Sequence, residues 1–379
     1  MRGRNWDIFC RVIDNFGDIG FCWRLARQLV AEHDLRVRLW VDDRASLNRL
    51  CPEVNMADVE QVLQGVAIRH WTSPFPPVEI ADVVIEAFAC ELPESYLAAM
   101  AARPKKPAWI NLEYLSAENW VSENHGLASP QPRMPLTKYF FFPGFTPYTG
   151  GLLREKNLVR QRTAWQADPG NAWQHLKLPP AEAGEISISL FCYENSALPD
   201  LLRCWAAGKT RIRCLIPAGQ ALTQAASSFP QQDLAIGAAF RQGNLSVHAL
   251  PFLSQELYDR LLWSCDLNFV RGEDSFVRAQ WAARPFVWQI YPQGHAAHHA
   301  KLEAFLALYC TRLEEPAKTA CRQFWLAWNG FGQTGADQSW TAYWQQRGTL
   351  ATHASQWAAH LSEAEDMASQ LVRFCENLL

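Results

Sequence analysis

Two short stretches combine residue types that could manage charge at a turn. The first is Arg271-Gly272-Glu273-Asp274-Ser275-Phe276-Val277-Arg278-Ala279-Gln280. It follows an apolar run at 267–270 that reads as a strand, and it opens an amphipathic helix predicted over 275–283. A strand, a tight turn and a helix start leave backbone N–H groups at the positive end of a helix dipole, which suits a diphosphate. Arg271 adds a planar donor fork. Glu273 and Asp274 would repel a phosphate, so an anion site accommodates them only where they face a sugar or a cationic second substrate. The alternative is that Asp274 or Ser275 caps the helix and Glu273 is solvated.

The second stretch is Asp14-Asn15-Phe16-Gly17-Asp18-Ile19-Gly20. Its two glycines let the backbone turn tightly and approach a ligand, with Asp14 and Asp18 one helical turn apart. Paired carboxylates on such a turn suit general-base work or the gripping of a cation. The alternative gives Asp18 to helix capping and Asp14 to the turn itself. Neither stretch is a Gly-x-Gly-x-x-Gly fingerprint, which argues against a nicotinamide oxidoreductase, and the absence of Gly-x-x-x-x-Gly-Lys excludes a P-loop. His295, His298 and His299 have one-turn spacing, yet no cysteine or carboxylate cluster accompanies them, and a solvated or capping helix start accounts for them. Asp42 and Asp43 sit between a strand and a helix, where capping suffices. No metal and no cofactor are expected.

The elements that must position these loops follow from length and periodicity. A chain of 379 residues exceeds the size at which one core keeps growing, so two domains are expected. Hydrophobic residues make up 49% and charged residues 19%, as in an ordinary globular enzyme, and no apolar run approaches the roughly 18 to 20 residues of a membrane span. The N-terminus leads directly into a strand without the apolar core of a signal peptide, so the protein is expected in the cytoplasm. Eleven cysteines without any Cys-x-x-Cys pair read as reduced, structural thiols. A net charge of −3 argues against nonspecific nucleic-acid binding.

Strands are predicted at 6–13, 37–41, 66–70, 83–88 and 109–112, with helices at 22–33 and 93–102. Such alternation implies a parallel sheet covered by helices. Proline and glycine recur between 125 and 180. After that the alternation resumes, with strands at 186–191, 212–217, 245–252, 267–270 and 286–290. The organisation expected is an N-terminal Rossmann-like domain over 1–155, a linker over 156–182, and a C-terminal Rossmann-like domain over 183–362. A final amphipathic helix at 363–379 is expected to pack back on the first domain. Two Rossmann-like α/β domains facing each other across a cleft make a glycosyltransferase B fold. Its ligands lie outside the carboxyl ends of the strands, where both loops fall.

Together with Asn111-Leu112-Glu113-Tyr114-Leu115-Ser116-Ala117-Glu118 between them, these loops resemble the EarP family of protein-arginine rhamnosyltransferases. The resemblance runs from about residue 6 to about residue 305. It implies an inverting transfer of L-rhamnose from dTDP-β-L-rhamnose to one arginine of translation elongation factor P, activating that factor at stalled proline runs. It also implies that the donor binds the C-terminal domain, and that neither nucleic acid nor membrane is a partner. Carried over residue by residue, Asp18 resembles the general base, Asp14 its supporting carboxylate, and Glu273 a holder of the acceptor arginine and sugar. Phe191, Tyr193, Phe252, Gln255, Arg271, Asp274, Ser275 and Tyr291 match the donor side, with Asn15 and Gly17 completing that set. Glu113 and Tyr114 are candidates for contact with the acceptor.

The chemistry accounts for the recurring acids. A guanidinium keeps its proton to a pKa above about 12 and is a poor nucleophile while its lone pair is delocalised. Carboxylates can grip it through paired hydrogen bonds, orient one nitrogen and accept a proton as the new bond forms. Without a metal, the leaving diphosphate would be neutralised by Arg271, backbone N–H groups and the helix dipole. Two rivals remain open: a transferase of the same fold with a small-molecule acceptor, and a nonenzymatic nucleotide-sugar-binding module.

Overall fold

Parallel strands covered on both faces read as continuous apolar runs, and most of the strands that build this chain's two sheets have that character. The computed structural model describes residues 3–14, 16–232, 234–292 and 297–379. It divides into two compact units, Met1–Lys156 with Ser362–Leu379, and Asn157–Leu361. Asn15 and His295 lie outside the described residues.

In the first unit β1 (Asn5–Cys10), β2 (Arg36–Val41), β4 (Val66–His70), β5 (Val83–Ala87), β6 (Ala108–Leu112) and β8 (Thr137–Phe141) run parallel. Antiparallel β3 (Glu60–Leu63) and β7 (Ala128–Pro130) close the two edges, giving the order β3-β4-β2-β1-β5-β6-β8-β7. Neither edge strand, nor β8, follows from the sequence pattern. The short, exposed β3 lacks an apolar run, and β7 ends on Pro130, a residue tolerated only where no ladder donor is needed. Phe9, Trp40, Trp109, Tyr96 and Met100 fill the core on one face of this sheet.

The final helix, Met367–Glu376, belongs to this unit. Asp366 caps it, accepting from the Ser369 N–H at 3.1 Å, and also accepts from Gln28 Nε2 at 3.0 Å. The Met367 N–H donates to the Leu152 carbonyl at 3.0 Å, and Phe374 lies edge-on to Phe141 with ring centroids 5.7 Å apart.

The second unit carries β9 (Glu185–Leu190), β10 (Arg211–Pro217), β12 (Leu245–Leu250), β13 (Leu267–Arg271) and β14 (Phe286–Gln289) in parallel. With antiparallel β11 (Ala239–Gln242) the order is β11-β12-β10-β9-β13-β14. The stretch 156–182, expected as a linker, is instead helical over Leu158–Gln166 and Pro169–His175 and is built into this unit. Asp168 accepts from the Asn171 N–H with Pro169 at the helix start, so the proline that reads as a breaker begins a helix. Trp173 then packs with Leu215, Leu250 and Leu261, and Trp165 Nε1 donates to Ser264 Oγ at 2.8 Å. All eleven cysteines are free thiols, buried except for the half-buried Cys204. Among the described residues no helix is long and apolar enough to cross a membrane.

Candidate active site

In the first unit β1 ends at Cys10, and the helix Gly17–His33 begins a few residues later. The N-cap position falls on Phe16, so Asp18 lies inside the helix and is not its cap. Its carboxylate braces the loop behind it. Oδ2 accepts from the backbone N–H groups of Ile13 and Asp14, both at 2.9 Å, and Oδ1 accepts from the Tyr114 hydroxyl at 3.1 Å. Asp18 is only 2% exposed, at the positive end of the helix dipole, so a buried carboxylate here is paired by donors on both oxygens. Asp42, after β2, steadies the same loop by accepting from the Val12 N–H at 3.0 Å, while Asp43 caps the helix Arg44–Leu50.

Gly17 has a steric reason to be glycine. Its N–H donates to the Asp14 carbonyl at 2.6 Å, and an added Cβ would stand 2.6 Å from Asp14 Oδ2. Gly17→Ala is therefore expected to swing the Asp14 carboxylate aside and leave the fold intact. The melting temperature should stay at the wild-type value, and a drop of more than a few degrees would show that the turn itself depends on Gly17.

Tyr114 and Glu113 follow β6 directly. Glu113 accepts from Asn111 Nδ2, and Tyr114 stacks on Phe88 with centroids 4.2 Å apart and planes 12° apart. Both residues are half-buried and reach the end of the sheet where Asp18 sits.

In the second unit β9, β13 and β14 end side by side. Gly272 turns the chain after β13 with φ 60°, its N–H donating to the Gln289 carbonyl at 3.2 Å and its carbonyl accepting from Trp288 Nε1 at 2.7 Å. Only glycine takes that backbone readily. The N-cap position is Glu273, one residue before the expected caps, and Asp274 and Ser275 open the helix Asp274–Trp281. Ser275 Oγ accepts from the Arg271 N–H at 3.0 Å and donates to the Arg271 carbonyl, so it clasps the turn.

The Arg271 guanidinium is sandwiched between Phe191 and Tyr193, 4.5 and 4.2 Å from their ring centroids. It is 8% exposed. Tyr193 is itself fixed, its N–H donating to Gln289 Oε1 at 2.8 Å and its ring meeting Tyr291 edge-on at 5.4 Å. Phe252 and Gln255 lie after β12, where Ser254 caps the helix Gln255–Ser264. The same helix carries Tyr258 to within 5.5 Å of the Phe191 ring, which joins this loop to the Arg271 cluster. Tyr258, which no motif marks, stands one turn beyond Gln255 on the same face of this helix.

The far end of the 271–280 motif is structural. Arg278 makes a buried two-point ion pair with Asp259 at 3.0 and 2.6 Å, and Gln280 Oε1 accepts from Trp357 Nε1 at 2.9 Å. Burial pushes the Cys192 thiol up to about 12, which keeps it neutral and unreactive beside Arg271. Among the described residues no group of three or more His, Cys, Asp or Glu is placed to hold a metal ion.

The sequence profile described as Elongation-Factor P (EF-P) rhamnosyltransferase EarP matches residues 6–376. A protein-arginine rhamnosyltransferase of Pseudomonas putida is 49% identical over 376 residues, covering 99% of each chain. The solved structure described as the structural basis for EarP-mediated arginine glycosylation of translation elongation factor EF-P is 36% identical, with a TM-score of 0.71 over 99% of this chain and 100% of that one. A calicheamicin glycosyltransferase, 12% identical with a TM-score of 0.52 over 99% of this chain and 98% of its own, shares the fold alone. Two α/β units with parallel-dominated sheets, the three motifs and these matches agree: the chain has the glycosyltransferase B fold and belongs to the EarP family of elongation factor P rhamnosyltransferases.

Proposed function

We propose that the chain transfers L-rhamnose from dTDP-β-L-rhamnose to an arginine side chain of translation elongation factor P, with inversion at the anomeric carbon. The observation that carries this reading is the held carboxylate of Asp18, at the carboxyl end of the first sheet in a chain of this family. Asp18 accepts a guanidinium proton as the C–N bond forms and the C–O bond to the diphosphate breaks. Asp14 and Glu273 orient the guanidinium, and Glu113 and Tyr114 contact the acceptor. A single displacement needs no covalent sugar intermediate.

On the donor side Phe191, Tyr193, Phe252 and Tyr291 surround the thymine, and Gln255 and Asp274 supply polar contacts. Arg271 and Ser275 contact the diphosphate. The aromatic sandwich supports that role for Arg271, because a guanidinium already ordered by its neighbours loses little freedom on binding. The positive charge of Arg271 and the helix start at Asp274 stabilise the departing diphosphate without a metal. A translation factor as acceptor places the reaction in the cytoplasm.

The test is intact-mass spectrometry of elongation factor P after incubation with the protein and dTDP-β-L-rhamnose in the presence of EDTA. The expected result is a gain of one deoxyhexose, mapped by fragmentation to an arginine. Donor binding without mass gain would overturn the acceptor and favour a small-molecule transferase. Loss of the gain with EDTA alone would overturn metal independence.

A further inference from the structure

Three neighbouring strands, β1, β5 and β6, end on the side of the first unit that holds Asp18, and their loops are latched to one another. After β5 the backbone enters the left-handed region at three residues that are not glycine: Phe88 at φ 56°, Ala89 at 53° and Glu91 at 57°. Such a run persists only where the surroundings impose it. Here the Phe88 N–H donates to the Leu112 carbonyl at 2.7 Å, the Ala89 N–H to Asn111 Oδ1 at 3.2 Å, and the Glu91 N–H to Glu86 Oε1 at 3.1 Å. Asn111 is 1% exposed and spends its other end on Glu113. The turn it fixes lays the Phe88 ring flat against Tyr114, and Tyr114 reaches Asp18 Oδ1.

The two oxygens of Asp18 thus have partners of different kinds. Oδ2 faces two backbone N–H groups, which can only donate. Oδ1 faces a phenol, which can donate or accept. We infer that Tyr114, held by Phe88 and Asn111, is a positioning residue that makes Oδ1 the oxygen receiving the guanidinium proton, while Oδ2 stays anchored to the loop. This rests on Asp18 being the base of the proposed reaction. As the guanidinium N–H bond breaks and an O–H bond forms at Oδ1, the Tyr114 hydroxyl keeps its contact, either donating to the remaining Oδ1 lone pair or turning to accept from the new O–H. The contact survives in both protonation states. A proton on Oδ2 would instead face two donors and break the brace of the loop.

Steady-state kinetics of Tyr114→Phe, Asn111→Ala, their double variant and Asp18→Asn test this, with donor affinity by calorimetry and melting temperature as controls. Tyr114→Phe keeps the stack on Phe88 and should lower kcat about 10-fold, the scale of one hydrogen bond to a charged group, with donor affinity unchanged. Asn111→Ala should lower kcat in the same direction, and the double variant should lose no more than the sum's larger member, because both act through one contact. A wild-type kcat for Tyr114→Phe would overturn the inference even if Asn111→Ala fails to fold. So would a raised KM for elongation factor P with unchanged kcat in Asn111→Ala, which would route its effect through Glu113. Asp18→Asn separates the two levels: wild-type turnover there removes the base itself, whereas an inactive Asp18→Asn beside a fully active Tyr114→Phe removes only the positioning role.

Discussion

Asp18→Asn is expected to lower rhamnose transfer by about 10²- to 10⁴-fold, the range over which a positioned general base contributes. The substitution preserves shape, and the amide oxygen can still accept from the Ile13 and Asp14 N–H groups that the carboxylate serves at 2.9 Å. What disappears is the charge and the capacity to take a proton. Some stability goes too, about 1–2 kcal/mol, since hydrogen bonds to a charged acceptor are stronger than those to a neutral one. Most of the proposed donor contacts, Arg271, Phe191 and Tyr193 among them, lie on other elements, so affinity for dTDP-β-L-rhamnose should change far less than turnover. The measurement is the rate of deoxyhexose addition to elongation factor P, with calorimetric donor affinity alongside. Turnover equal to the wild type's would take Asp18 out of the chemistry.

Arg271→Ala should act on binding. The guanidinium fills the space between Phe191 and Tyr193 and carries the positive charge at the end of β13. Removing it deletes charge-assisted hydrogen bonds worth about 1.5–3 kcal/mol each and leaves two rings without the plane between them. For two such bonds the donor Kd should rise about 100-fold, near 3 kcal/mol. Arg271→Lys should recover little of this, because a lysine ammonium has neither the planar fork nor the stacking face. Unchanged affinity of the alanine variant would move the diphosphate away from this turn.

How far the sequence carries depends on the kind of interaction involved. The buried parallel strands are visible because both of their faces must be apolar, and the charged turns at Asp14–Asp18 and Arg271–Ser275 stand out against them. The edge strands β3, β7 and β11 have no such constraint, as their outer sides meet solvent, and no alternation marks them. Pro169 and Gly170 conceal a helix start because proline is both a breaker and a favoured first helical residue. Within the site, residue types give the charges but not their wiring. That Asp18 braces its own loop and that Ser275 clasps Arg271 are local contacts in irregular turns, while the meeting of Tyr258 with Phe191 and of Tyr114 with Asp18 joins segments after different strands. Those contacts have no periodicity to betray them.

The return of the last helix to the first unit has a bearing on how the chain is made. Leu152, Gln28 and Phe141 have partners in Met367, Asp366 and Phe374, residues that follow the whole second unit in sequence. Domains generally fold as they emerge from the ribosome, N-terminal first. Here the unit that carries Asp18 is begun before the second unit and completed only after all of that unit has been translated. A stop codon before residue 366 therefore strips packing partners from the unit that carries Asp18, although almost all of that unit is encoded upstream of the second.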